Sequence, residues 1–179
     1  MSYLDLPIRE IHQALMEKKV TPLDLAKESL ERAKKDTCNS FERLCEEEAL
    51  SFAATLTEPE ADNLLWGIPY LAKDNFSTKG IETTASSNIL NGYIPLYDAT
   101  VISKLKEKKC VLIGKTTLDE LAMGGTGTTG HKGITYNPYT PEHTHMMGGS
   151  SCGSAAATAL GIAPFALGSD TGDSVRKPA

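Results

Sequence analysis

Three short stretches of this 179-residue chain hold residue types able to carry a reaction. They are AKDN with Lys73, MMGGSSCGSAAA with Ser150 and Ser151, and GSDTGDSVRKPA with Ser174. A lysine that can be stripped of its proton is a base, and a serine beside a base is a nucleophile for acyl transfer. Each stretch also has a plainer reading. A lysine at the end of a buried strand commonly snorkels to the surface. A GGSSCGS turn ahead of a helix presents free backbone N–H groups to any anion, and a serine in a Gly-rich loop serves turn geometry.

Other candidates are weaker. GKTT at 114–117 looks like the end of a phosphate-binding loop, but the upstream position that requires glycine is Lys109, so a strand exit is the better reading. His131, His143 and His145 lack a matching carboxylate or cysteine set for a metal. Met146 and Met147 read as packing residues. Cys38, Cys45, Cys110 and Cys152 form no CxxC pair and read as free thiols of a reducing compartment.

The elements that must position these groups fall in two parts. Residues 1–60 read as a helical arm. Ile8, Ile11, Leu15 and Met16 share a helical face. Thr21, Pro22 and Asp24 sign a second helix start, with Leu25, Leu30 and Ala33 on its apolar side. A third helix is predicted from about Arg43 to Ala54. After the acidic, Pro-containing TEPEADN loop, residues 61–179 alternate strands and helices. LLWGIPYLAKDN reads as a buried strand, Asp98 as the cap of a helix over ATVISKLKEKK, and CVLIG as a second strand. TLDELAMGG reads as a short helix, 124–149 as a long functional loop, SSCGSAAATALG as a small-residue helix and IAPFALGSD as a third strand. The order implies an α/β layer fold with at least part of its sheet parallel.

Composition bounds the function. At 19.2 kDa and 40% hydrophobic residues the chain has material for one soluble core. A net charge of −5 argues against gripping nucleic acid unaided, because phosphate contacts need clustered Lys and Arg. The N-terminus lacks the apolar stretch of a secretory signal. No uncharged apolar run approaches the ~18 residues of a membrane span, and the chain reads as cytoplasmic.

In this order, KDN, GGSSxGS and GSDTGxS followed by R and P resemble the amidase signature family. Ser150 and Ser174 stand at that family's separation, 174 − 150 = 24 positions. Within the family, GIPYLAKDNFSTKGIETTASSNIL, PLYDATVISKLKEKKCVLIGKTTLDELAMGG and YNPY are similar to the amide-hydrolysing subunits of tRNA-dependent amidotransferases. The resemblance implies a mixed, largely parallel central sheet flanked by helices.

Position by position, the resemblance makes Ser174 the nucleophile, Ser150 the bridging serine after a cis Gly149–Ser150 peptide, and Lys73 the base. Lys73 must then be neutral, which takes its affinity for a proton from ~10.4 to about 7 to 8, or roughly 4 kcal/mol, supplied by burial and cationic neighbours. The backbone N–H groups of Thr171, Gly172 and Asp173, with Ser174 itself, would form the oxyanion hole. Asp170 and Arg176 would brace that turn, with Ser151 and Ser154 in support and Met123 and Gly124 at the substrate. Two departures from the family's glycines are Asp173 and Cys152. Asp173 sets a carboxylate beside an oxyanion and a side chain in a turn that often needs positive φ.

The activity implied is hydrolysis of glutamine to supply ammonia for converting Glu-tRNA(Gln) to Gln-tRNA(Gln). No cofactor binds this chain; ATP and Mg2+ serve a tRNA-binding kinase subunit, a small third subunit stabilises the assembly, and tRNA is met only through the partner. A stand-alone amidase acting on small amides is the alternative. The family's domain runs well past its nucleophile, so these residues by themselves are expected to be an inactive portion of a longer chain.

Overall fold

In the computed structural model, which describes residues 2–140 and 142–179, the polypeptide builds a mixed four-stranded sheet with helices packed on it. Helices α1 (Ile8–Met16) and α2 (Pro22–Ala33) come first. The second starts as its sequence requires: Thr21 Oγ1 accepts from Asp24 N, the Asp24 carboxylate accepts from Thr21 N, both at 3.1 Å, and Pro22 opens the helix.

The predicted helix from Arg43 is corrected. Residues Phe41–Leu44 form strand β1, and helix α3 begins only at Glu46 and runs to Thr55. Arg43 and Leu44 are held in the sheet by pairing with Lys115 and Gly114, while Glu46, Glu47 and Glu48 favour a helix N-terminus immediately afterwards. The first sixty residues are therefore not purely helical. One hydrophobic cluster joins both sides of residue 60: Ala26, Leu30, Ala49 and Ala53 pack with Leu71, Val111 and Ile113.

Strand β2 (Pro69–Lys73) is buried at every position, with proline tolerated at its first residue. Helix α4 (Thr100–Glu107) leads to strand β3 (Val111–Thr116), and β2 and β3 pair in parallel from Pro69↔Val111 to Lys73↔Thr116. Asp98 does not cap α4. Its carboxylate is taken by Lys79 N at 2.8 Å and by Lys106 Nζ, and the flanking residue at the helix start is Ala99. Gly114, Lys115 and Thr116 are the last three residues of β3, so GKTT is the strand exit its sequence suggests.

TLDELAMGG is not an α-helix but a single 3-10 turn, Glu120–Ala122, in which Leu121 and Ala122 both have positive φ. Helix α5 (Cys152–Ala159) and strand β4 follow, the strand shrinking to Ala166–Leu167 because only those residues find a partner, on β2. The sheet order is β1-β3-β2-β4, with β1 antiparallel and the other two pairings parallel, the mixed, largely parallel sheet expected.

Gly153 shows how closely α5 meets the sheet. A Cβ there would stand 2.4 Å from both Ser40 O and Thr117 Oγ1 and 2.6 Å from Thr117 N. Backbone on that side cannot yield easily, so Gly153→Ala is expected to cost about 3 kcal/mol of stability, read as a lower urea midpoint at unchanged m. An unchanged midpoint would mean that α5 slides freely on the sheet.

Candidate active site

The parallel strands β2, β3 and β4 all end at one edge of the sheet, the edge where open α/β sheets place their ligand sites. Lys73 is the last residue of β2, two positions beyond Leu71 on the same face, and it is fully buried. Its Nζ donates to Ser150 Oγ at 2.7 Å and to Ser169 Oγ at 2.9 Å, and Asn75 Nδ2 reaches the same Ser169 oxygen at 2.9 Å. Burial pushes the Lys73 ammonium down to about 8, against the opposing charges of Asp119 and Asp170. No cationic neighbour is involved, so the expected help from nearby positive charge is corrected: desolvation alone lowers the lysine.

Ser150, also fully buried, sits in the turn before α5, and the Gly149–Ser150 peptide is cis. Ser174 is 9% exposed, and its carbonyl accepts from Ser151 N at 3.0 Å, which fixes its backbone beside the Ser150 turn. Lys73 and Ser150 are thus in direct contact. The Ser174 hydroxyl makes no hydrogen bond to another described residue.

The turn carrying Ser174 is tied by Asp170 and Arg176. Asp170 Oδ2 accepts from Val175 N, Arg176 N and Arg176 Nε at 3.0, 3.2 and 3.1 Å, and Oδ1 from Arg176 Nη2 at 3.0 Å. Arg176 Nη2 also donates to Gly172 O. The Arg176 guanidinium and these backbone donors hold the Asp170 carboxyl well below the usual carboxylate range. The N–H groups of Thr171, Gly172 and Asp173 donate to no described residue and remain free to meet a ligand oxygen. Asp173 is exposed and its φ lies outside the left-handed region, so the side chain creates no backbone conflict. Its Oδ1 and Lys177 Nζ both border Gly125, which sets a cation near the extra carboxylate.

Ser154 Oγ lies 2.7 Å from Thr116 Oγ1 and donates to Leu167 O at 2.8 Å, tying α5 to β3 and β4. Ser151 Oγ donates to Ser169 O and accepts from Ser169 N, both at 3.3 Å. Both serines also line a concavity of about 720 Å³ that does not include Lys73, Ser150 or Ser174. Met123 is 82% exposed, whereas Gly124 packs on Asp119. Cys152 is buried, and that burial pushes its thiol up, as for a packing residue. All four cysteines are free. His131 is engaged by Glu42 and Asn88, and His143 lies against the Tyr136 ring.

Sequence does not single out four buried or half-buried residues of this region: Ser169, Asn75, Asp119 and Lys115. Ser169 and Asn75 stand inside the motifs, and only folding brings them to Lys73. Lys115 stands in GKTT, which in sequence reads as a strand exit and says nothing of a buried charge. In the fold its ammonium is wholly buried, donating to Asp74 Oδ1 at 2.8 Å and to Phe76 O and Thr83 Oγ1 at 3.1 Å.

A buried lysine and serine at the open end of a largely parallel sheet, beside a Gly-rich turn with free N–H groups, define an amidase-type architecture. The sequence model of the Amidase family matches residues 24–179, and the chain belongs to that family. Within it, the chain is 44% identical to the A subunit of glutamyl-tRNA(Gln) amidotransferase from Streptococcus pneumoniae (strain Hungary19A-6), an alignment covering all of this chain and 37% of the relative. It is also similar to the crystal structure of the corresponding A subunit from Thermotoga maritima, with 38% identity and a TM-score of 0.81 over 99% of this chain and 37% of that one. Peptide amidase from Stenotrophomonas maltophilia gives 29% identity and a TM-score of 0.89, over 98% and 38% of the two chains. The chain spans a little over a third of the length of these relatives. Among the described residues no helix is long and apolar enough to cross a membrane.

Proposed function

We propose that this chain carries the Ser-Ser-Lys centre of a glutamine-hydrolysing subunit of glutamyl-tRNA(Gln) amidotransferase. The observation that carries the reading is the 2.7 Å contact between a fully buried Lys73 and Ser150 Oγ. Neutral Lys73 accepts the Ser150 proton as Ser150 accepts the Ser174 proton, and Ser174 Oγ attacks the side-chain amide carbon of glutamine. The oxyanion is met by the N–H groups of Thr171, Gly172, Asp173 and Ser174. Collapse breaks the C–N bond, and the relayed proton leaves with ammonia. Water, deprotonated by the same relay, then cleaves the glutamyl ester to glutamate and restores the Ser174 hydroxyl.

Ammonia would pass to a tRNA-binding kinase subunit that uses ATP and Mg2+, in a cytoplasmic complex with a third, small subunit. The closer identity to the amidotransferase sequences than to the peptide amidase supports this over a stand-alone amidase. The test is ammonia release from glutamine by the full protein with and without its partners. Release that ignores the partners and accepts many small amides would transfer the reading to the stand-alone enzyme.

The buried lysine makes a pH prediction. The active form is the neutral amine, so below about 8 its population falls tenfold per pH unit. The expected kcat/KM therefore rises with pH up to about 8 and levels above it, and at pH 6 it is roughly a hundredfold below the plateau. A profile flat between pH 6 and 8 would remove Lys73 as the base.

A further inference from the structure

Asp119 lies outside the three stretches that carry Lys73, Ser150 and Ser174, yet its buried carboxylate touches two of the segments that form the site. Oδ2 accepts from Thr126 N at 3.0 Å and Gly127 N at 2.9 Å. Oδ1 accepts from Thr128 N at 3.0 Å, Thr129 N at 3.2 Å and Thr129 Oγ1 at 2.9 Å. Five donors on two oxygens exhaust the lone pairs of a carboxylate. Burial opposes its charge, but the N–H groups of Gly127, Thr129 and Thr126 more than offset this and hold the carboxyl below its ordinary range.

The same carboxylate is pressed against the serine turn. A Cβ at Gly149 would lie 2.1 Å from Asp119 Oδ2, and one at Gly124 would lie 2.6 Å from the Asp119 side chain. Asp119 N donates to Ser150 O at 3.2 Å. Glycine at 149 is thus a condition of the contact. No ion pair with a lysine, arginine or histidine neutralises Asp119 among the described residues. Its charge is balanced only by backbone and hydroxyl dipoles, and part of its field reaches Lys73.

We propose that Asp119 is a positioning residue that clamps loop 124–129 against the Gly149–Ser150 turn and holds a fixed negative charge behind the Lys73–Ser150 pair. The inference rests on the reading of Lys73 as the base. The other charge acting on Lys73 is that of Asp170, the titratable Cys152 thiol faces the same site, and Ser150 and Ser169 hydrogen-bond the lysine. Through its contact with the loop, Asp119 sets where Gly124 stands. Through its charge, it sets how readily Lys73 gives up a proton.

The experiment compares Asp119→Asn and Asp119→Glu in the full protein, with glutamine as substrate and melting temperature as a check on folding. Asn keeps the size but turns an NH2 group against two of the N–H donors and removes the charge. The expected result is a KM raised by about tenfold, with the acid limb of kcat/KM moved to lower pH by roughly half to one unit. Glu keeps the charge but not the fit, so KM rises while the limb stays. A limb unmoved in Asp119→Asn, with the parent showing one near 8, overturns the electrostatic part. An unchanged KM in both variants overturns the clamp. A parent with no limb there condemns the reading of Lys73 instead, and KM still decides the clamp. If Asp119→Asn does not fold, Thr129→Val removes one hydroxyl donor alone: a KM raised about threefold supports the clamp and an unchanged KM overturns it.

Discussion

Ser174→Ala in the full protein is expected to lower glutamine hydrolysis by about 10^4- to 10^6-fold while leaving the fold intact. The size follows from the roles acting as a unit. In the proposed relay the Ser174 hydroxyl is the atom that Ser150 and Lys73 activate, and what would survive its loss is the contribution of binding and the oxyanion donors. The intact fold follows from the contacts. The Ser174 hydroxyl bonds no other described residue, and the interaction that locates it, Ser151 N donating to Ser174 O at 3.0 Å, uses backbone that alanine retains. Ammonia release, measured in the assembled complex, is the readout. Release within tenfold of the parent would falsify the assignment of Ser174 and redirect attention to Ser150, the hydroxyl that Lys73 already touches.

Asp74→Ala is expected to destabilise the protein by about 3 to 5 kcal/mol, because it strands the Lys115 ammonium without its counter-charge in a site where both side chains are at most 1% exposed. Asp74 also accepts from Thr84 N and Thr84 Oγ1, both at 2.7 Å, so the substitution frees two further buried donors. The effect bears on function, since Asp74 follows Lys73 directly and its N–H bonds Thr116 O at 3.0 Å, holding the end of β2 to the end of β3. Urea unfolding of Asp74→Ala, Lys115→Met and the double variant gives the coupling. A value of at least about 2 kcal/mol is expected, and one within roughly 0.5 kcal/mol of zero would show that the pair does not hold the strand ends.

The buried pair also marks where sequence reading stops. GKTT offers a local pattern with two readings, a phosphate loop or a strand exit, and neither speaks of burial. Lys115 is buried because Asp74, 41 positions earlier in sequence, arrives beside it when β2 and β3 pair in parallel. Arg43, predicted to be helical, is drawn into a strand by the same sheet, since β3 offers Phe41–Leu44 an antiparallel edge. Asp98 reads as a cap from its place before a helix, but Lys79 N and Lys106 Nζ compete for its carboxylate. Local propensity is a weak prior wherever a distant partner can satisfy the same group better.

By contrast, the Thr21 capping box, the buried strands at 69–73 and 111–116, and the small-residue helix at 152–159 are all legible in the residues themselves. Each depends on neighbours in the chain: a cap and its third neighbour, a continuous apolar run, a stretch of Ala and Gly between turn signals. The family is legible too, because its marks are short strings in a set order. Local sequence therefore suffices for most of the element order, for the family, and for the serines and lysine worth testing. Folding alone brings Lys73 to Ser150 and Ser169, lowers it by desolvation without any cation, and ties the glycine-rich loop to the serine turn through Asp119. Those are properties of distance and exclusion of water between segments far apart in the chain, and they come into being only when the strands pair and the loops close over their ends.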